Sequence, residues 1–327
     1  MSSCDRRPTA ERPVRLAACA AVLLGSTGVA SAQRIEPHEF VPAPDGTSIN
    51  LFYFDYADSP TFETSGTNLT SNGASNQAYF GTERFVHYDY LFGHPAGFQL
   101  IEPFGQFSGS GNISGTPVNN TFGASNVDIS AFFWPYANFQ QKQYLVLAGF
   151  FYPPVGSYNK NQLVNWASLN SGSNGWAGTF QIGWDQGIGD HFSYDLGVDG
   201  TFAGDTTGSF APGSGLPIGV TTKHDPYARV QLWLNWNWNV ALTTSIGYYG
   251  TFGGQTSFTN PAATALLGLQ PGATTVTGKH NEQQLRAAVG QFLSPNFQVL
   301  LDVHGDVAAS GGFKEVIGTT LRFLYIF

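Results

Sequence analysis

The last stretch of the chain, Ile317 to Phe327 (IGTTLRFLYIF), admits few structures. Ile317, Leu321, Phe323, Tyr325 and Phe327 share one parity, so on a strand they form a single apolar, aromatic face, while Thr320 and Arg322 fall on the other. Such a strand suits either the edge of a soluble sandwich or the wall of a membrane β-barrel whose aromatic face meets lipid. The rest of the chain decides between them.

Residues 1–32 read as a secretory signal peptide. Arg6, Arg7, Arg12 and Arg15 precede an apolar, small-residue run from Leu16 to Ala30, and Ala30-Ser31-Ala32 fits a cleavage site, which makes Gln33 the first mature residue. Leu16-Ala17-Ala18-Cys19 has the shape of a lipoprotein box, but its apolar run follows the cysteine, which disfavours lipidation. Arg6-Arg7 lacks the rest of a twin-arginine pattern, so Sec export is favoured. Both cysteines, Cys4 and Cys19, lie in this leader. The exported chain therefore has no disulfide, thiol nucleophile or thiolate metal site.

Charged residues are 11% of the chain, against roughly a quarter in ordinary soluble domains. Yet no apolar run after the leader reaches the ~18 residues that a membrane helix needs. Sparse charge, 15% aromatics and 40 glycines suit a membrane β-barrel. The leader holds four of the 14 basic residues and two of the 22 acidic ones, so the exported chain is strongly acidic. That disfavours a nucleic-acid partner.

Gln33 to Gly46 is Pro-rich and reads as an extended periplasmic tail (33–46) ahead of a barrel over 47–327. From Thr47 the pattern predicts twelve antiparallel strands, near 47–57, 77–92, 97–109, 122–135, 142–153, 174–186, 190–203, 224–236, 239–252, 281–293, 296–308 and 314–327. In the sixth to ninth the alternation is plain. Val230, Leu232, Leu234 and Trp236 oppose Arg229, Gln231 and Asn235, for example. The polar face is mostly Gly, Ser, Thr, Asn and Gln, as a barrel interior requires. Connections run long, short, long, short, which matches long outer loops and short periplasmic turns around an even number of strands. Trp176 and Trp184, Tyr248 and Phe252, and Tyr325 and Phe327 sit near strand ends as interfacial girdles would.

Two resemblances follow from these residues. The closing strand, with Leu321, Phe323, Tyr325 and the final Phe327, is similar to the terminal strand of bacterial outer-membrane barrels, which implies an assembly signal read by the barrel-assembly machinery. From Phe40 on, the chain resembles the outer-membrane proteins of the MetA-pathway of phenol degradation family. Phe40–Tyr53, Phe151–Tyr158 (FYPPVGSY), Asn165–Trp176 and the GYYG of Gly247–Gly250 carry that likeness, although Val155 stands where the family usually has a small polar residue. The resemblance covers nearly the whole exported chain and implies a transporter-like barrel in the outer membrane of a Gram-negative bacterium. It names no substrate.

Parity assigns to the lumen Glu83, His87 and Asp89 on the second strand, Asp195 and Asp199 on the seventh, Arg229 on the eighth, and Glu282 and Arg286 on the tenth. Asp302, His304 and Asp306 on the eleventh and Arg322 on the twelfth complete the set. Asp199 with Arg229, and Arg286 with Asp302, sit at similar depths on neighbouring strands, so they can pair. Such pairs either select a solute at a constriction or simply fill the wall, since eight strands close completely and sixteen leave a channel. Asp302-x-His304-x-Asp306 has donors for a divalent cation, but alternate residues lie ~7 Å apart, too far to converge unaided, so no metal or cofactor is expected. A lipid hydrolase would need a serine beside His304, and none is apparent on the flanking strands. The expectation is a narrow passive channel for a small, hydrophobic or aromatic solute, in contact with membrane lipid and lipopolysaccharide. A structural barrel acting through its outer loops is the alternative, and a lipid hydrolase a weaker one.

Overall fold

The strand pattern closes on itself. The computed structural model describes residues 34–67, 69–113, 116–158, 171–210, 218–259, 274–276 and 279–327. The signal peptide, both cysteines and the start of the Asn165–Trp176 motif lie outside them. The wall consists of β1 Ser48–Ser59, β2 Ser71–Leu91, β3 His94–Ile113, β4 Asp128–Asn138, β5 Gln143–Tyr152 and β6 Ala177–Ile188, then β7 Phe192–Ala203, β8 Tyr227–Asn237, β9 Leu242–Gly253, β10 Asn281–Ser294, β11 Phe297–Ser310 and β12 Ile317–Ile326. Each pairs antiparallel with its neighbours in sequence. β12 returns to β1, with Ile49 opposite Ile326 and Tyr53 opposite Arg322. No edge is left unpaired, as a sheet in hydrocarbon demands. There is no helix among the described residues.

Turns at one end are tight. β2 joins β3 through Phe92 and Gly93, both with positive φ (52° and 80°), the twist that a two-residue hairpin requires. At the other end the connections are long and build outward. Thr206–Phe210, Ile218–His224, Thr256–Thr259 and Thr274–Val276 form a four-stranded extension, and Thr61–Glu63 pairs with Gly312–Lys314.

Alternation sorts the side chains. Phe180, Ile182, Leu196, Val198, Ile246 and Leu285 are exposed on the outer surface. On the inner face of the same strands Thr179, Gln181, Ser193, Thr201, Gln231 and Gln284 are buried. Phe151 stacks on Trp176 near the long-loop end, and Tyr325 stacks on Phe327 at the short-turn end.

Parity fails on one strand. In β2 the inner face carries Asn76, Phe80, Thr82, Arg84 and Val86, so Glu83, His87 and Asp89 point outward. The polar-inside rule misassigns β2 because its inner face is mixed, with Ala74, Phe80, Val86 and Tyr88 among the polar residues, while charged Glu83 and Asp89 sit on the outer face. The reason lies inside the lumen.

Candidate functional site

The lumen contains the residues that precede β1. Instead of trailing away as an extended tail, the segment from Arg34 to Gly46 runs through the barrel. Arg34 lies at the long-loop end, hydrogen-bonded to His304 and within 3.9 Å of Glu315. Gly46 lies at the short-turn end, where its amide donates to the carbonyl of Tyr88. Between them Ile35 and Phe40 are 2% and 3% exposed. Burial of such side chains contributes roughly 1.5–3 kcal/mol each, which favours insertion over a solvated tail.

The wall is shaped for this segment. Gly183 on β6 and Gly197 on β7 lie opposite each other. A Cβ at Gly183 would stand 2.5 Å from the Phe40 ring, and one at Gly197 would stand 3.2 Å from it. The two glycines thus leave a socket that the ring fills. Two tryptophans turn inward against the prevailing polarity: Trp134 Nε1 donates to the Phe40 carbonyl at 2.8 Å, and Trp233 Nε1 to the Ile35 carbonyl at 2.9 Å. The Ile35 amide donates to Gln231 Oε1, and the His38 amide to Asp195 Oδ2. The wall therefore satisfies backbone groups of an inserted chain that would otherwise be buried without partners.

Charge completes the docking. Arg286 donates to the Ile35 carbonyl, lies 3.3 Å from Glu36 and 3.1 Å from Asp302, and sits over the Trp233 ring at 4.6 Å. Arg84 pairs with Glu39. Arg229 is fully buried and donates to Asp199 at 2.7 Å, a pair within the wall itself.

Of the twelve residues that parity assigns to the lumen, the nine outside β2, Asp195, Asp199, Arg229, Glu282, Arg286, Asp302, His304, Asp306 and Arg322, face inward, but they do not form one ring. Arg286 meets the inserted segment with Asp302 behind it, Asp195 meets His38, and Arg322 is bonded to Gln298. Glu282, His304 and Asp306 belong to the outer chamber. Asp302, His304 and Asp306 do not share an outer rim: Asp302 sits at mid-lumen and bonds His304 Nδ1, whose Nε2 faces Glu315, while Asp306 accepts from Gln284. The partners of His304 are Asp302, Glu315 and Arg34; none is a serine.

Two chambers remain. The outer one, about 230 Å³, is lined by Tyr227, Tyr249, Phe107, Phe313, Glu282 and Asp306 among others. The inner one, about 670 Å³, opens at the short-turn end beside His38, Tyr88, Asn237, Arg322 and Ile326. Along the segment a space of about 20 Å³ between Arg34, Glu36, Tyr53, Asp55, Arg84 and Thr320 lies between them. It is of the size that holds one water.

A closed twelve-stranded wall with an aromatic outer surface and a polar interior defines an outer-membrane β-barrel. The family model described as "Putative MetA-pathway of phenol degradation" matches residues 57–323. The chain belongs to that family. Among solved structures it is similar to the COG4313 outer membrane channel from Pseudomonas putida F1, at 21% identity and a TM-score of 0.75, over 90% of this chain and 100% of that one. It is also similar to the transport unit of the autotransporter AIDA-I from Escherichia coli, at 8% identity and a TM-score of 0.54, over 91% and 94% of the two chains. At these identities the likeness is one of fold. A search of curated proteins gives no match.

Proposed function

We propose that the protein is an outer-membrane channel for passive passage of a small hydrophobic or aromatic solute, seen with its passage closed by residues 34–41. The observation that carries this is the pair of chambers at opposite ends of the lumen, with a segment that no strand pairing retains packed against buried wall side chains between them. Side-chain contacts, the Arg286–Glu36 pair and hydrogen bonds worth a net ~0.5–1.5 kcal/mol each hold it. The outer chamber, at about 230 Å³, exceeds the ~150 Å³ that accommodates benzene in an apolar cavity, and aromatic rings line it. Within it Arg34 lies 3.9 Å from Glu315, and His280 lies 3.3 Å from Glu282.

Planar-bilayer conductance and swelling of proteoliposomes in an uncharged aryl glucoside, which the bilayer itself retains, test the reading. Deletion of residues 34–41 should raise conductance and glucoside flux well above those of the full chain. Equal, near-zero values for both would sink the channel and favour a barrel that works through its outer loops.

A further inference from the structure

Three side chains converge beside the inserted segment: His38 from the segment, Asp185 from β6 and Asp195 from β7, with one ligating atom of each within 4.8 Å of the others. Asp185 and Asp195 are directly opposite across the strand pair and are 2% and 0% exposed. Two buried carboxylates in that position repel unless something positive joins them. Among the described residues no arginine or lysine pairs with either.

The hydrogen bonds show which atoms are left over. Asp195 Oδ2 accepts from the His38 amide at 3.0 Å and from Asn235 Nδ2 at 2.7 Å. Asp195 Oδ1 and Asp185 Oδ2 are buried and have no hydrogen-bond partner. Asn237 Oδ1 accepts from Thr243 and lies 3.1 Å from His38 Nε2, so Nε2 carries the ring proton. On the neutral ring His38 Nδ1 then presents a lone pair, 4.0 Å from Asp185 Oδ2. An imidazole held by its far N–H on a carbonyl oxygen is also how proteins orient a metal-ligating histidine.

We propose that His38 Nδ1, Asp185 and Asp195 bind one divalent transition-metal ion, of the zinc class, and that the ion fastens the N-terminal segment to β6 and β7. The donors, one imidazole and two carboxylates, suit zinc better than calcium, which takes six to eight oxygens. Two ligands of a tetrahedral zinc lie ~3.3–3.5 Å apart, so the most widely separated of these atoms, within 4.8 Å now, need to close by roughly 1.4 Å through side-chain rotation. His38 also borders the inner chamber, which gives the ion a route in.

Binding is measurable without any flux, so this inference and the channel reading fail separately. The full chain in detergent, stripped with chelator and returned to chelator-free buffer at neutral pH, is titrated with Zn²⁺ by calorimetry. One ion per chain is expected, with His38→Gln and Asp195→Asn each weakening it at least about tenfold. Asp190→Asn, on the β6–β7 turn, should leave binding unchanged. Heat-modifiable migration verifies that each variant is folded. In the unaltered chain, Zn²⁺ should protect His38 from diethylpyrocarbonate while exposed His191 continues to react, which frees the test from the folding of any variant. Absence of saturable Zn²⁺ uptake would mean that a shared proton joins the carboxylates, and would overturn the proposal. So would preference for Ca²⁺, binding retained by both variants, or equal modification of His38 with and without Zn²⁺.

Discussion

Trp134 Nε1 donates a 2.8 Å hydrogen bond to the carbonyl oxygen of Phe40, tying the middle of the wall to a residue that precedes the first strand. The bond spans 94 residues of sequence and satisfies two polar groups that water cannot reach.

Enlarging the Phe40 socket residue should dislodge the segment. In Gly183→Ala the new Cβ would meet Phe40 at 2.5 Å and Val146 at 2.6 Å, an overpacking that costs roughly 1–3 kcal/mol. Higher conductance and a red shift in tryptophan emission are expected, as Trp134 and Trp233 lose their partners. Gly200→Ala, whose Cβ meets nothing within 4 Å, should change neither.

Arg286 and Arg229 should part company. Arg286→Ala removes the cation shared by Glu36 and Asp302, leaving buried carboxylates uncompensated at a cost of about 3–5 kcal/mol, and it frees the segment. Arg229→Ala leaves Asp199 equally stranded but touches no residue of the segment. Both should lower the temperature at which the folded form is lost on heat-modifiability gels. Only Arg286→Ala should also raise conductance.

Phe327 closes the seam through reciprocal backbone bonds with Ser48, at 2.9 and 3.1 Å, and stacks its exposed ring on Tyr325. Phe327→Ala keeps the backbone bonds and removes the ring. Refolding from denaturant into detergent should proceed normally, whereas the yield of folded barrel in outer membranes should fall several-fold if Leu321, Phe323, Tyr325 and Phe327 act as the assembly signal.

Glu83 and Glu102 face each other across β2 and β3 on the outer surface, and Asn50 reaches Glu83 at 3.5 Å. Like charges directly opposite are unfavourable, so Glu102→Gln should stabilise the barrel by about a few tenths of a kcal/mol. Unfolding midpoints at low ionic strength would register the gain, and added salt should erase it.

The wall was legible in the sequence because lipid imposes a strict period of two. Val230 to Trp236 against Arg229 to Asn235 could be read without coordinates, as could the pairing of Asp199 with Arg229 and of Arg286 with Asp302. The contents of the lumen were not. Gln33–Gly46 has the prolines of a tail, and nothing local distinguishes a solvated segment from one that a remote wall encloses. Pairing with water leaves no mark on composition, and pairing with Trp134 spans the chain. The usable signals were exceptions to the period: Trp134 and Trp233 on a polar face, and Gly183 and Gly197 side by side on it. β2 was misread for the same reason, since a lumen occupied by Ile35 and Phe40 is packed by Tyr88 from the inner face of β2, which leaves Glu83 outside.

The direction in which the segment runs puts its two ends at opposite mouths. Arg34 borders the outer chamber of about 230 Å³, while Gly46 lies at the other end. On the reading of residues 1–32 as a cleavable leader, we propose that cleavage precedes insertion, because an attached leader would have to be drawn through the barrel like a thread through a bead. A bulky tag placed before Gln33 should then yield a barrel that assembles with its segment outside.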